Sequence, residues 1–379
     1  MSQRSSEMRA NGIDVINLSV GEPDFFTPDN IKVSAHEAVD NNFSFYSPVA
    51  GFLSLREAIC DKLRVENSLE YNPSQIVVSN GAKQSICQVL LALLNSGDEV
   101  VLPAPYWVSY PEMVKLAEGK TVVIPTDIDS DFKITANQLR AAITPRTRAL
   151  ILCSPSNPTG SVYSLSELEA LATVLRDFPD VTVVADEIYE HINYTGVHAS
   201  LAQCAGMKDR VVIVNGVSKG YAMTGWRIGW IAAPEQLAKA CVKLQGQFTS
   251  GAGSISQKAA EGAYRGDQSS VGIMRQAFMR RRDLVVEKAS QIKGLKINIP
   301  QGAFYLFPEC SSYFGKSDGK KTINNASDLA MYLLEEGHVA TVSGDGFGAP
   351  DYIRLSYATS EENLCEALRR MKVALDKLN

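Results

Sequence analysis

The sequence predicts an α/β protein, with a large domain built on a mostly parallel central sheet covered by helices and a smaller α/β domain at the C-terminal end. Three observations carry this expectation. From about residue 75, short apolar runs alternate with longer helical patterns, which is the signature of a parallel sheet covered on both faces. Near residue 290 the pattern changes to closely spaced short strands with two helices. The chain has 379 residues, 45% of them hydrophobic and 21% charged, so it holds roughly two domains of ordinary globular composition.

The runs "GDEVVLP", "KTVVIP", "RALILCS", "VTVVAD" and "RVVIVN" are brief, rich in Val, Ile and Leu, and bounded by turn residues. Each reads as a buried strand. Between several of them, "KQSICQVLLALLNSG", "TANQLRAAIT" and "SLSELEALATVLRDF" have helical spacing, and Thr135 with Gln138 and Ser164 with Glu167 fit capping boxes at helix starts. Toward the C-terminus come "GLKINIP", "GAFYLFPE", the helix-like "NASDLAMYLLEEGH", "VATVSG", "YIRLSYA" and a terminal helix in "SEENLCEALRRMKVALDK". The expected division is an N-terminal segment packing with the small domain (1–35), the large domain (36–285) and the small domain (286–379).

Composition excludes several classes of function. A net charge of -5 argues against a general nucleic-acid binder, which needs a basic face. The seven cysteines are odd in number and contain no C-x-x-C pair, which fits a reducing compartment rather than a disulfide framework. The four histidines show no ligand spacing, so no metal site is expected. No apolar run approaches the roughly 20 residues of a membrane span, and the N-terminus lacks the apolar core of a signal peptide. A soluble intracellular protein is expected, cytoplasmic, or of the plastid stroma if a transit peptide has been removed.

In a parallel α/β sheet, ligands sit beyond the carboxyl ends of the strands, and the chemistry-bearing residues cluster there. "VTVVADEIYEH" ends a strand in Asp186 and Glu187 with Tyr189 close behind. Taken alone, Asp186 is equally well read as a helix N-cap. The nucleotide-hydrolase reading of such a strand requires G-x-x-x-x-G-K-[ST], which the sequence lacks. "LILCSPSNPTG" puts Asn157 in a turn after another strand, and "LPAPYWVSY" does the same for Trp107, which alone reads as well as a core aromatic. "VVSNGAKQS" sets Gly81 and Ala82 before a helix, where free backbone N–H groups suit an anion. "NGVSKGYAMTGWRIG" supplies Ser218, Lys219 and Arg227. Gly344, Gly346 and Ala349 have dinucleotide-fingerprint spacing, but Pro350 and a strand-like run follow where that fingerprint demands a helix.

A lysine, an acid, a phenol, an amide, an indole, a phosphate-ready helix start and an arginine together suit pyridoxal 5'-phosphate. Its aldehyde bonds a lysine, and its ring nitrogen needs a carboxylate to stay protonated. "SVGEPDF", "YSPVAG", "NGAKQ", "PYWVSY", "SPSNPTG", "DEIYEH", "NGVSKGYAMTGWRIG" and "RLSYATS" resemble, in order, the motifs of the class I aminotransferases of PLP fold type I. The resemblance is nearest to the bacterial and plastid-type aspartate/prephenate aminotransferase branch, and it covers nearly the whole chain from about Gly12.

The resemblance implies roles residue by residue. Lys219 matches the Schiff-base lysine, Asp186 the partner of the ring nitrogen, and Tyr189 and Asn157 the groups bonded to the ring oxygen. Trp107 stacks on the ring. Gly81, Ala82, Ser218 and Arg227 surround the phosphate, and Tyr46 reaches it from a neighbouring subunit, which implies a homodimer. Arg354 matches the arginine that grips the substrate α-carboxylate, Gly21 leaves room for substrate, and Lys83 matches the lysine for a distal carboxylate. The implied reaction moves an amino group between L-aspartate or L-glutamate and 2-oxo acids (oxaloacetate and 2-oxoglutarate), with prephenate as a further acceptor. A PLP-dependent β-lyase, or a transaminase of other specificity, would use the same cofactor set. Only eleven residues precede "GIDVINLSVGEPDF", so the recognition arm of the related enzymes is expected to be shortened or absent here.

Overall fold

A computed structural model describes residues 2–379; Met1, the first residue of the expected N-terminal segment, lies outside the described residues. Twelve strands occur among the described residues. In chain order they are β1 (Ile16–Asn17), β2 (Ile76–Ser79), β3 (Glu99–Ala104), β4 (Lys120–Pro125), β5 (Thr147–Cys153), β6 (Thr182–Asp186), β7 (Val211–Gly216), β8 (Gly229–Ala232), β9 (Tyr305–Leu306), β10 (Val339–Ala340), β11 (Val342–Ser343) and β12 (Ile353–Ser356).

The central sheet has seven strands in the order β2-β8-β7-β6-β5-β3-β4. All five apolar runs expected as strands lie in it. Pairings from β4 through β3, β5 and β6 to β7 are parallel, whereas β8 runs antiparallel to both of its neighbours. The inner strands β3, β5, β6 and β7 are buried on both faces, whereas the edge strand β4 is largely exposed, and alternate residues of the inner strands feed two separate cores. Val101, Leu150, Val183, Val211 and Ile213 face one, while Val100, Ile151, Val184, Val212 and Val214 face the other. That two-sided burial explains why the runs read as continuously apolar rather than alternating.

The flanking helices begin where their local chemistry dictates. Ser164 Oγ accepts from the Glu167 amide at 3.3 Å, and Glu167 Oε2 accepts from the Ser164 amide at 2.7 Å, which opens the helix Leu165–Arg176. Leu168, Leu171, Ala172 and Leu175 then recur at helical spacing and are buried against the sheet. Thr135 and Gln138 make the same reciprocal cap for Ala136–Ala142.

A third core gathers Phe304, Tyr305, Leu333, Val339, Ile353, Leu355 and Leu368 with Ile16 and Leu18 from the N-terminal region. Here β1 pairs in parallel with β10, and β11, β12 and β9 form an antiparallel sheet. The stretch "GLKINIP" forms no strand, only a single bridge from Lys296 to Glu309, and it ends in Pro300, which has no N–H to donate. The helix Ser269–Ser290 runs unbroken across the expected boundary at 285–286 and places Phe278, Val285 and Ala289 in this third core. Among the described residues no helix is long and apolar enough to cross a membrane, and all seven cysteines are free.

Candidate active site

The carboxyl ends of the parallel strands open into a cavity of about 490 Å³. Trp107 enters from the loop after β3, Asn157 from that after β5, Asp186 from the last position of β6, Tyr189 just beyond it, and Ser218 and Lys219 from the loop after β7. Because β8 is antiparallel, its first residue lies at this same edge, with Gly229 paired to both Ser79 and Gly216. Arg227, just before β8, is thereby brought beside the start of the helix Ala82–Leu93. Gly21, Ala82, Lys83 and Arg354 complete the expected residues in the cavity wall. Tyr46 is 97% exposed and lies outside that wall.

Lys219 reaches inward, and its Nζ donates to the Gly21 carbonyl at 2.6 Å. Burial lowers the pKa of its amine to about 8, with Arg354 and Arg227 adding to the effect and Glu22 opposing it. Asp186 ends its strand and caps no helix. Its Oδ1 accepts from the Ile188 amide at 3.3 Å and its Oδ2 from the Tyr110 hydroxyl at 2.5 Å. Burial raises its pKa to about 6, although the Tyr110 bond works against that rise.

Gly81 caps the helix Ala82–Leu93 with φ 87°, a left-handed value that favours glycine. A Cβ on Gly81 would run into the Arg227 guanidinium, and one on Gly229 into the Ala82 amide nitrogen. Free helix-start amides and a guanidinium therefore converge on one cradle that side chains would fill, an arrangement suited to a phosphate group. Arg227 itself donates to the carbonyls of Thr224 at 2.9 Å and Asn80 at 3.3 Å.

Arg354 is only 7% exposed. Its Nη1 donates to Asn157 Oδ1 and its Nη2 to the Ser19 carbonyl, each at 2.9 Å, while Nε has no partner. The guanidinium packs over the rings of Tyr305 and Phe347, with centroids at 4.6 and 5.0 Å. A buried, incompletely satisfied guanidinium of this kind is primed for a carboxylate. Lys83 is exposed at the mouth, with its Nζ 4.8 Å from the Trp107 ring.

Sequence reasoning missed Tyr110 and Tyr305. Tyr110 begins a helix three residues after Trp107, and the two rings meet edge to face at 5.5 Å. The helical offset in "PYWVSY" was the available signal for it. Tyr305 lies in "GAFYLFPE", where nothing in the alternation separates it from its core neighbours Phe304 and Leu306.

Comparison with known proteins shows the family. A family model described as aminotransferase class I and II matches residues 13–371. A bifunctional aspartate aminotransferase and glutamate/aspartate-prephenate aminotransferase of Petunia hybrida is 50% identical over 370 residues, covering 96% of this chain and 77% of the relative. An aspartate/prephenate aminotransferase of Nitrosomonas europaea is 46% identical over 98% of this chain and 94% of its own length. The crystal structure of an aspartate aminotransferase from Rhizobium meliloti superimposes with a TM-score of 0.97 at 45% identity, covering 100% of this chain and 95% of that one. Fold, order of motifs and identity agree over nearly the whole length: the chain belongs to the class I and II aminotransferases.

Proposed function

We propose that the protein transfers an amino group between L-aspartate or L-glutamate and the 2-oxo acids oxaloacetate and 2-oxoglutarate, and that prephenate serves as a further acceptor. The observation that carries this reading is the buried Lys219 amine, near neutral in pKa, sharing one cavity with Asp186 and a partly unsatisfied Arg354. Relatives named for aspartate and prephenate supply the substrate class.

The family's cofactor is pyridoxal 5'-phosphate, and the cradle, lysine and carboxylate described above fit it. When bound, it supplies an electron sink for the charge released as the substrate loses its α-proton. Gly81, Ala82, Ser218 and Arg227 would hold its phosphate, Trp107 its ring face, Asp186 its ring nitrogen, and Tyr189 and Asn157 its ring oxygen. Lys219 takes the substrate's α-proton, a task that a pKa of about 8 suits close to neutral pH. Arg354 orients the α-carboxylate as a bidentate fork, and Lys83 at the mouth attracts a second carboxylate.

The same proposal places Tyr46 at the phosphate of a second subunit in a homodimer, consistent with its exposure outside its own cavity. It keeps the division at 1–35, 36–285 and 286–379, and a cytoplasmic or stromal location.

The test is a panel of amino donors and oxo acids, prephenate included, with product analysis. Wild type should convert L-aspartate to oxaloacetate while aminating 2-oxoglutarate, and Lys219→Ala should lose at least ~10³-fold in turnover. Pyruvate and ammonia in place of a new amino acid would indicate elimination and sink the transfer reading. Lys83→Ala should lower the preference for aspartate over a monocarboxylic donor; an unchanged ratio removes Lys83 from substrate recognition.

A further inference from the structure

Tyr305 touches both halves of the site. Its ring lies 4.6 Å from the Arg354 guanidinium, and its hydroxyl is 2.8 Å from that of Tyr189. A Cβ on Gly21 would come within 2.8 Å of the same hydroxyl, so the absence of a side chain there leaves the space Tyr305 uses. Tyr305 and Arg354 lie on the neighbouring strands β9 and β12, with Tyr305 paired to Ser356. Tyr189 follows β6 of the central sheet. The side chain thus crosses from the small antiparallel sheet to the large one, wholly buried at 0% exposure.

We propose that Tyr305 is a positioning residue with two tasks: its hydroxyl couples to the hydrogen bond Tyr189 gives the cofactor, and its ring orients the carboxylate grip of Arg354. The proposal rests on the roles assigned to those two residues above. A hydroxyl has one hydrogen and two lone pairs. A Tyr189 that donates its hydrogen to the ring oxygen can only accept from Tyr305, so Tyr305 is the donor in the 2.8 Å bond. Donation into Tyr189 polarises that phenol and makes it a stronger donor in turn. The Tyr305 ring has a separate task. Together with the Phe347 ring, at 5.0 Å, it packs on the guanidinium and restricts the orientation in which that group meets a carboxylate. The hydroxyl therefore acts on the cofactor and the ring on substrate binding.

Three measurements on the cofactor-loaded enzyme separate these tasks: the pH midpoint of the lysine-bound cofactor's absorption change, KM for L-aspartate, and Tm. A weaker bond to the ring oxygen destabilises its anionic form, so the cofactor's proton is held to higher pH. Tyr305→Phe keeps the ring and loses the hydrogen; it should raise the midpoint by ~0.5 pH unit with KM within about twofold and Tm nearly unchanged. Tyr305→Leu should show the same shift and an additional ~10-fold rise in KM. Tyr189→Phe should raise the midpoint by about 1 unit, and Tyr189→Phe/Tyr305→Phe should match Tyr189→Phe alone, because Tyr305 acts through Tyr189. If Tyr189→Phe moves the midpoint but Tyr305→Phe does not, or if the two shifts add, the coupling is overturned while the role of Tyr189 stands. If Tyr189→Phe leaves the midpoint in place, the role of Tyr189 falls and the coupling with it.

Discussion

Asp186 and Glu190 sit one turn of chain apart, 4% and 7% exposed, yet their surroundings drive them in opposite directions. Asp186 faces the cavity, where its hydrogen-bond partners are a phenol and an amide, and burial lifts its pKa to about 6. Glu190 faces a network of charged partners instead. Burial would raise it too, but Lys62, His191 and His198 more than offset that and hold it at about 2. Lys62 is bonded directly to Glu190, Asn215 donates to Glu190 Oε2 at 2.6 Å, and His198 pairs with Glu187 at 3.0 Å. A buried acid supplied with a fixed cation is part of the scaffold. A buried acid given only neutral donors at hydrogen-bond distance is fitted to receive a cation, which a protonated ring nitrogen is.

The sharpest way to break this contrast is to neutralise each acid. Asp186→Asn should lower kcat/KM for aspartate by ~10³-fold, since it removes the charge that keeps the ring nitrogen protonated. In the cofactor-free protein at pH 7 the same variant should be more stable, on the order of 2 kcal/mol, because an acid with a raised folded pKa costs stability once the pH exceeds its unfolded value. Steady-state kinetics and denaturation of the cofactor-free protein check the two halves. A loss of both activity and stability would erase the distinction.

Glu190→Gln should behave in the opposite way. It leaves the buried Lys62 with only the Glu66 carboxylate, 3.5 Å away, and should cost roughly 3 kcal/mol in chemical denaturation, while the cofactor-loaded fraction of the enzyme retains most of its turnover. Replacing Lys62 and Glu190 together by apolar residues should cost less than either single change.

The smallest expected effect depends on pH. Burial alone would lower the His198 pKa, but Glu187 and Glu190 outweigh it and raise the value above the ordinary 6.5. A histidine with a raised folded pKa stabilises fully below its unfolded value, and that contribution is lost as pH rises through the folded one. The stability gap between wild type and His198→Gln should therefore be widest below about pH 6.5 and narrow as pH climbs. A gap that grows with pH would mean that His198 is held neutral.

The helix caps at Ser164 and Thr135 and the five apolar strands were legible because their signals are local: a side chain and an amide three residues apart, or a run of Val and Ile. Lys219 and Arg227 were legible through motif order. The Lys62–Glu190 pair joins residues 128 apart in sequence, and no periodicity announces it. The same holds for the grouping of Glu187, Glu190 and His198, whose ligand-type atoms come within 4.8 Å of one another although the histidine spacing suggested no cluster. Here Lys62 and Asn215 already occupy the carboxylate of Glu190.

By itself the sequence determined five of the seven strands of the central sheet, β2 and β8 not being among them, which residues stand at its carboxyl ends and which family chemistry those residues suit, since strand patterning and turn chemistry act over a few residues. Only the tertiary structure decided what each buried group touches. The antiparallel β8 brings Arg227 to the helix start, and the small sheet lays Tyr305 between Arg354 and Tyr189. The physical reason is that desolvation and hydrogen bonding depend on neighbours in space, and those neighbours come from elements that are remote along the chain.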